Sequence, residues 1–197
     1  MTLRILGVNG SMRARAHSAS ALTVALEAAG ERGAEIRTLD LRRTLLPMYN
    51  PDVEVAETGE VREALAAVEW ANAFVLATPD YHGSMSGAMK NFLDHFWTEF
   101  AGKVFTYVCA SHEKGLTAMD QMRTAVRQCY GWSLPYGVAV NPEEDLDAEG
   151  NVTRTATIKR LRMLARDLTI YGTLISEQFE RDLLSDDTHS FAARYRK

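Results

Sequence analysis

Short apolar segments alternate with longer amphipathic segments along the chain, and this alternation constrains the fold more than any other feature. Strands that are joined through helices run parallel, so the pattern predicts successive βαβ crossovers and a parallel sheet. The apolar segments at 3–8, 73–78 and 104–110 lack a strict polar alternation. Such runs are typical of strands that helices cover on both faces.

Five strands and five long helices are predicted. The predicted strands cover residues 3–8, 34–39, 73–78, 104–110 and 134–140, and the helices cover residues 18–31, 60–70, 84–100, 116–130 and 153–171. Residues 40–57, with Pro47, Asn50 and Pro51, are expected to be irregular, and residues 141–150 form an acidic loop. The pattern favours an α/β fold of the flavodoxin-like kind, a doubly wound five-stranded parallel sheet in the order 2-1-3-4-5 with helices on both faces. We expect residues 1–197 to form one domain with a polar tail at 177–197.

Three strand-to-helix turns are expected at one edge of this sheet. In the order 2-1-3-4-5 the first and third strands are neighbours, and ligands bind outside their carboxyl ends. Residues 9–13 follow the first strand, residues 79–84 follow the third, and residues 110–115 follow the fourth. We therefore expect all three turns to face one crevice.

The turn after the first strand has the composition of a phosphate site. Residues 1–26 contain no Asp or Glu, whereas Ser11, Arg13, Arg15, Ser18 and Ser20 lie within them. Backbone N–H groups, hydroxyls and a cation at a helix N-terminus suit an anion. The alternative is that Ser18 or Ser20 only caps the helix. Neither a G-x-G-x-x-G fingerprint nor a P-loop pattern is present, which disfavours a dinucleotide-binding dehydrogenase and a nucleotide hydrolase.

The other two turns suit a flat ring. Tyr81 is able to lie along an aromatic ligand, Gly83 permits a close backbone approach, and Ser84 is the predicted N-cap of the next helix. Lys114 or His112 is able to stabilise negative charge on a reduced ring. The alternative is that these are ordinary solvated turn residues.

Other function classes fit less well. A formal net charge of −4 disfavours a nucleic-acid partner, and no apolar run has the length of a membrane span. No secretory signal is evident, and two cysteines without close spacing favour a reduced, cytoplasmic setting. Residues 83–87 read G-S-M-S-G, which puts Met85 where a hydrolase needs its nucleophilic serine. His95 and Glu99 share a helix face but lack a third metal ligand in the sequence, so no metal site is predicted.

Two of these turns resemble signatures of the NADPH-dependent FMN reductase family, a flavodoxin-like group of flavin, quinone and azo-compound reductases. The first is G-S-x-R followed by serines, matched by Gly10, Ser11, Arg13, Ser18 and Ser20. The second resembles P-E-Y-N-G-S followed by a small residue and L-K-N, matched by Pro79, Asp80, Tyr81, His82, Gly83, Ser84, Gly87, Lys90 and Asn91. Asp80 replaces Glu, His82 replaces Asn, and the third turn has one glycine, Gly115, where the family often has several.

The resemblance implies non-covalent FMN, NADPH or NADH as electron donor, and a small-molecule acceptor such as a flavin or quinone in ping-pong chemistry. It places the phosphate on Ser11, Arg13 and Ser18 and the ring between residues 79–84 and 111–115. The flavin itself reacts, so no catalytic residue is named, although His82 or Lys114 is a candidate for tuning it. The cofactor-binding candidates are Ser11, Met12, Arg13, Ser18, Ser20, Pro79, Asp80, Tyr81, His82, Gly83, Ser84, Ser111, His112, Lys114 and Gly115.

The resemblance also implies a homodimer or homotetramer whose subunits pack through the helix after the second signature. The apolar side chains offered for that contact are Met85, Met89, Phe92, Phe96 and Trp97. The alternative is that these side chains belong to the core of one subunit. The rival function is a flavodoxin-type electron carrier or a redox-sensing flavoprotein, which would bind FMN without reacting with NAD(P)H.

Overall fold

The computed structural model describes residues 1–53 and 59–195, and within them six strands form one parallel sheet. The strands are β1 (Arg4–Asn9), β2 (Glu35–Asp40), β3 (Ala73–Pro79), β4 (Val104–Ala110), β5 (Trp132–Ser133) and β6 (Val138–Val140). The strand order is β2-β1-β3-β4-β5, and β6 also pairs with β4. The predicted order 2-1-3-4-5 and the flavodoxin-like α/β class are therefore confirmed.

The fifth strand is broken, and the prediction of one strand over 134–140 is wrong. Its two pieces pair with different parts of β4, since Trp132 lies opposite Val104 and Val138 lies opposite Val108. Pro135 lies between the pieces and has no N–H to donate to the ladder. An ideal Cβ at Gly137 would lie 2.7 Å from the Tyr107 carbonyl oxygen, so the chain passes this point only as glycine.

Helices cover both faces of the sheet, as predicted. The six α-helices of the described residues are α1 (His17–Gly30), α2 (Gly59–Trp70), α3 (Gly87–Asp94), α4 (Leu116–Gln128), α5 (Pro142–Asp145) and α6 (Thr155–Leu184). α1 and α6 contribute to the core on one face, while α2, α3 and α4 contribute to the core on the other. No helix among the described residues is both long enough and apolar enough to span a bilayer.

The predicted helix over 84–100 is wrong at both ends. α3 spans Gly87–Asp94, and a separate 3-10 turn follows at Thr98–Phe100. The helix cannot begin at Ser84, because the Ser84 backbone exchanges hydrogen bonds with Tyr81. Of the apolar side chains considered for a subunit contact, Trp97 is 63% exposed. The buried ones are Met85, Met89, Phe92 and Phe96.

The last helix is longer than predicted. α6 does not end at residue 171 but continues to Leu184, so the expected polar tail begins as helix. Phe179 from this extension lies over Gly102, whose φ of 74° suits glycine. Phe179 also meets the ring of Phe191, in a 3-10 helix at Phe191–Tyr195, at 6.3 Å between centroids.

The connections also differ in part from the predictions. The expected acidic loop at 141–150 contains the short α5, whose N-cap Asn141 accepts a hydrogen bond from the Glu143 N–H. Residues 41–53 form turns and irregular chain, as predicted for 40–57. Residues 54–58 of that prediction lie outside the described residues.

Candidate functional site

Three loops leave the sheet side by side at the carboxyl ends of β1, β3 and β4. We name residues 10–16 the first loop, residues 80–86 the second loop and residues 111–115 the third loop. The Gly10 N–H donates to the Ala77 carbonyl and the Asp80 N–H to the Ala110 carbonyl, both at 2.8 Å. The Ser111 N–H donates to the Val140 carbonyl at 2.9 Å. The sheet therefore fixes where each loop starts relative to its neighbour.

The first loop ends in an uncapped helix N-terminus. The N-cap of α1 is Ala16, which makes no side-chain cap, so the predicted capping by Ser18 or Ser20 is wrong. Within the described part of the chain, the backbone N–H groups of residues 14–18 donate to no acceptor. The Ser18 Oγ is buried and likewise has no hydrogen-bond partner there. Unpaired donors at a helix N-terminus are what a phosphate group satisfies.

Ser11 shapes the start of this loop. Its N–H donates to Asn9 Oδ1 at 3.2 Å, and its Oγ accepts from the Arg13 N–H at 3.3 Å. Ser11 is buried, whereas the side chains of Met12 and Arg13 are exposed. Ser20 is half-buried and lines a cavity of about 370 Å³ between α1 and residues 147–150. Because its side chain is exposed, Arg13 is able to turn toward an anion at the N-terminus of α1.

The second loop contains a tight turn. Tyr81 and Ser84 exchange backbone hydrogen bonds of 3.0 and 3.1 Å, and the residues between them, His82 and Gly83, have φ of 57° and 75°. Two left-handed residues define a type I′ turn, for which Asn-Gly is the preferred sequence. The turn thus explains in physical terms why the family has Asn where this chain has His82. Tyr81 and His82 are exposed on it, next to Pro79, the last residue of β3.

Asp80 joins the second loop to the third. Its Oδ1 accepts from the Gly83 N–H at 2.8 Å, and its Oδ2 accepts from the Ser111 hydroxyl at 3.0 Å. The Ser111 Oγ accepts in turn from the Glu113 N–H at 3.1 Å. Both carboxylate oxygens of Asp80 are thus engaged within the protein, and the two loops have a fixed separation.

Ser86 joins the second loop to the first, a role that the sequence reasoning missed. Ser86, not the predicted Ser84, is the N-cap of α3, and its Oγ accepts from the Met89 N–H at 3.1 Å. The same hydroxyl donates to the Gly10 carbonyl at 2.5 Å. The Ser84 hydroxyl instead donates to Gln121 Oε1 on α4 at 2.6 Å.

Glycine is required at Gly10 and Gly115, where the loops pass closest to the core. An ideal Cβ at Gly10 would lie 2.9 Å from the Met89 Cβ, and one at Gly115, which has φ of 59°, would lie 2.8 Å from the Cys109 Sγ. Burial raises the pKa of the Cys109 thiol to about 12, so this sulfur is not a thiolate. The third loop therefore packs on a neutral, buried thiol rather than on a reactive thiolate.

A cavity of about 690 Å³ lies between the second and third loops. It is large enough for a three-ring aromatic group and is open to solvent. His112 and Lys114 are exposed; the His112 Nδ1 lies 3.6 Å from Glu143 Oε1, and Lys114 has no ion-pair partner among the described residues. The predicted site residues that line the cavity are Asp80, Gly83, Ser111, His112, Lys114 and Gly115.

The remaining predicted residues lie elsewhere. Pro79, Tyr81 and His82 do not line this cavity, and Ser84 lines another one, of about 590 Å³, between α3 and α4. In residues 1–53 and 59–195, no three His, Cys, Asp or Glu side chains are grouped to hold a metal ion.

Comparison with known proteins gives the family. The family model described as NADPH-dependent FMN reductase matches residues 3–145. An NADPH azoreductase from Bacillus sp. (strain OY1-2) is 31% identical over 113 residues, which are 56% of this chain and 64% of that protein. The NADPH-dependent FMN reductase ArsH from Shigella flexneri is 25% identical over 192 residues, 93% of this chain and 73% of that protein. The chain thus spans about two thirds of the length of these relatives.

Solved structures show the same fold at low identity. The FerB flavoenzyme, an NAD(P)H:(acceptor) oxidoreductase from Paracoccus denitrificans, superposes with a TM-score of 0.74 at 20% identity, covering 87% of this chain and 98% of that one. An archaeal flavodoxin has a TM-score of 0.62 at 11% identity, covering 87% and 99%. The fold alone therefore does not separate reductases from carriers, but the family match extends over most of the chain. Together with the loop geometry, that match shows that the chain belongs to the NADPH-dependent FMN reductase family.

Proposed function

We propose that this protein is an NAD(P)H-dependent oxidoreductase that holds FMN without a covalent bond and passes electrons to a small acceptor. One observation carries the proposal: unpaired donors at the N-terminus of α1 and the cavity between the second and third loops lie at the same edge of the sheet. This combination fits a phosphate and a flat ring of one ligand. The family assignment supports the same cofactor and the same class of reaction.

The phosphate half of the site is built from the first loop. We assign phosphate binding to the hydroxyls of Ser11 and Ser18, the guanidinium of Arg13 and the free N–H groups of residues 14–18. The Ser18 hydroxyl has no partner within the described residues, so a phosphate oxygen would satisfy it. Residues 1–26 contribute no Asp or Glu to this end of α1, although Asp147 and Glu149 line the cavity on which Ser20 lies. Met12 contributes its backbone and Ser20 a second hydroxyl on α1.

The ring half of the site is built from the other two loops. Gly83 and Gly115 present backbone without a side chain, and Tyr81 lies on the exposed turn as a neighbouring aromatic surface. Lys114 and His112 supply positive charge where a reduced ring would carry negative charge. When bound, FMN supplies hydride acceptance from a nicotinamide and electron delivery to the second substrate.

The open cavity favours a ping-pong sequence in which donor and acceptor use the same exposed face in turn. NADPH or NADH serves as donor, and a flavin, quinone or related small molecule serves as acceptor. We further propose that residues 1–197 act as one domain and that subunits pair through the groove between α3 and α4, which Met85, Lys90 and Gln121 help to line.

The experiment is anaerobic mixing of the FMN-loaded protein with NADPH, and separately with NADH, while the absorbance of oxidised flavin is followed. Rapid bleaching with either nucleotide supports the reductase and identifies the donor. Retained absorbance with both nucleotides, despite bound FMN, would contradict the proposal and favour the electron carrier or the redox sensor.

The residues proposed to tune the flavin have a separate test. The midpoint potential of the bound flavin is expected to fall in Lys114→Ala, because a cation that favours the reduced ring is lost. His82→Asn, which restores the family residue, measures the effect of the histidine. Unchanged potentials in both variants would contradict the tuning role.

A further inference from the structure

A cavity of about 370 Å³ adjoins the N-terminus of α1. α1 bounds it on one side and residues 147–150 on the other. These residues belong to a short hairpin at 146–152, in which Leu146 and Val152 pair as an antiparallel bridge. The volume is within the range of small-molecule sites, about 300–1,000 Å³. FMN ends at its phosphate, so a flavin that reaches into this cavity must continue beyond that phosphate.

The cavity is continuous with the proposed phosphate site. The backbone N–H groups of residues 14–18 donate to no acceptor within the described part of the chain. Four of these five residues, 14–17, also line the cavity. A phosphate that accepts from these N–H groups therefore lies at the entrance of the cavity, and a group bonded to it has direct access.

A second arginine lies on the cavity side of the first loop. Arg13 is assigned to the FMN phosphate, whereas Arg15 lines the cavity. The Arg15 side chain is exposed and has no ion-pair partner in residues 1–53 and 59–195. A guanidinium group binds phosphoryl oxygens well. Arg15 therefore supplies a cation where a second phosphoryl group, joined to the first, would lie.

The hairpin contributes one available carboxylate. The two carboxylate oxygens of Asp147 accept from the N–H and the side-chain amide of Asn151, at 2.8 and 3.1 Å. Glu149 also lines the cavity, but it is exposed and forms no ion pair with any described residue. In dinucleotide sites an acidic side chain accepts hydrogen bonds from ribose hydroxyls. Glu149 therefore favours a sugar at this end of the cavity and disfavours a further phosphate.

The surface of α1 in the cavity carries small side chains. Ala16, Ala19, Ser20 and Thr23 line it at helical spacing, so they share one side of α1. None of them is large enough to fill the space between α1 and the hairpin. This surface is suited to a planar ring.

We propose that the cavity holds the adenosine monophosphate half of FAD, so that this protein binds FAD as well as FMN. The inference rests on the proposed function, because the flavin half of FAD occupies the site assigned to FMN. The diphosphate lies at the N-terminus of α1 and extends toward Arg15. The ribose hydroxyls donate to Glu149, and the adenine lies along α1.

Calorimetric titration of the cofactor-free protein with FMN and with FAD tests the proposal. The FAD stock is first freed of FMN, and the bound flavin is identified by chromatography. We expect the dissociation constant of FAD to be within about tenfold of that of FMN. A larger difference in favour of FMN would overturn this inference and leave the proposed function intact. Failure of both flavins to bind would overturn both.

Two variants test the placement of the adenosine. Thr23→Trp, at an exposed position of α1, fills the cavity and should weaken FAD binding at least about tenfold while changing FMN binding less than about twofold. Glu149→Ala should also weaken only FAD binding. Its control is Glu27→Ala, because Glu27 is exposed on α1 one turn beyond Thr23 and outside the cavity.

The ratio of the two flavin affinities decides the result, and circular dichroism checks that each variant is folded. A wild-type ratio in Thr23→Trp would overturn the placement of the adenosine in this cavity. A wild-type ratio in Glu149→Ala, or an equal change in Glu27→Ala, would overturn the contact between Glu149 and the ribose.

Discussion

Replacing Ser86 by alanine should reveal how strongly the first and second loops are joined. The Ser86 hydroxyl is buried and has two partners, because it accepts from the Met89 N–H at 3.1 Å and donates to the Gly10 carbonyl at 2.5 Å. Ser84 is the matched control. It lies two residues earlier, is only half-buried, and bonds to Gln121 on the surface of α4.

The expected magnitude follows from these partners. Loss of an N-cap hydroxyl costs about 1 kcal/mol. Loss of the donor to the buried Gly10 carbonyl costs about 1–2 kcal/mol more, because that oxygen is left without this partner. Ser86→Ala should therefore lower the free energy of unfolding by about 2–3 kcal/mol. Ser84→Ala should change it by less than about 0.5 kcal/mol.

Urea unfolding measures both variants. For Ser86→Ala we expect a lower midpoint with an unchanged slope, and for Ser84→Ala the wild-type curve. Ser86→Thr retains a hydroxyl and should recover part of the loss. FMN affinity should also fall in Ser86→Ala, since Gly10 begins the first loop. A larger loss in Ser84→Ala than in Ser86→Ala would refute the assignment of the N-cap and of the link between the loops.

Three further changes test other parts of the structure. Asp80→Ala removes the acceptor of the Gly83 N–H and of the Ser111 hydroxyl. FMN titration should therefore show binding that is at least about tenfold weaker. An FMN affinity equal to that of the wild type would contradict the role of Asp80 in joining the two loops. His82→Asn should raise the free energy of unfolding by about 0.5–1 kcal/mol, because Asn suits a left-handed turn residue better, and a loss would argue against the type I′ turn. Burial lowers the pKa of Lys103 from 10.5 to about 8. Between these pH values the unfolded chain therefore binds more protons than the folded chain. The free energy of unfolding of the wild type, relative to that of Lys103→Met, should rise as the pH increases from 8 to 10.5. This difference in the free energy of unfolding should rise by at most about 3 kcal/mol. If urea unfolding shows the same difference between the two proteins at pH 8 and at pH 10.5, the lowered pKa of Lys103 is refuted.

The central strands are predictable because each is marked by a continuous apolar run within its own segment of the chain. The segments 73–78 and 104–110 are continuous apolar runs, and β3 and β4 lie within one residue of those bounds. Both strands are buried on two faces, and their short length together with Pro79 after the first run and Gly102 before the second distinguishes them from helices. The edge of the sheet was harder to predict, because the interruption around Pro135 depends on how β5 and β6 find separate partners along β4.

Helix ends depend on contacts that the sequence does not display. Ser84 and Ser86 are equally good N-caps by residue type, and only the tight turn at His82 and Gly83 excludes the first of them. α6 extends beyond residue 171, and Phe179 from this extension packs over Gly102. That packing joins residues far apart in the chain.

The location of the candidate site was predictable, but its internal connections were not. The strand order alone places the three loops together. The roles of Asp80 and Ser86 require hydrogen bonds to residues 31 and 76 positions away, which no local pattern indicates. The sequence predicts Asp80 only as a ligand to the cofactor, whereas in the structure its carboxylate joins the second and third loops.

We propose that the first loop holds the phosphate of FMN, and the affinities of the protein for FMN and for riboflavin should therefore differ. Titration of the cofactor-free protein should show FMN binding at least about 100-fold more tightly than riboflavin, because several charge-assisted hydrogen bonds depend on the phosphate. Arg13→Ala and Ser18→Ala should weaken FMN binding while leaving riboflavin binding unchanged. Equal affinity of the wild-type protein for the two flavins would contradict phosphate binding by the first loop.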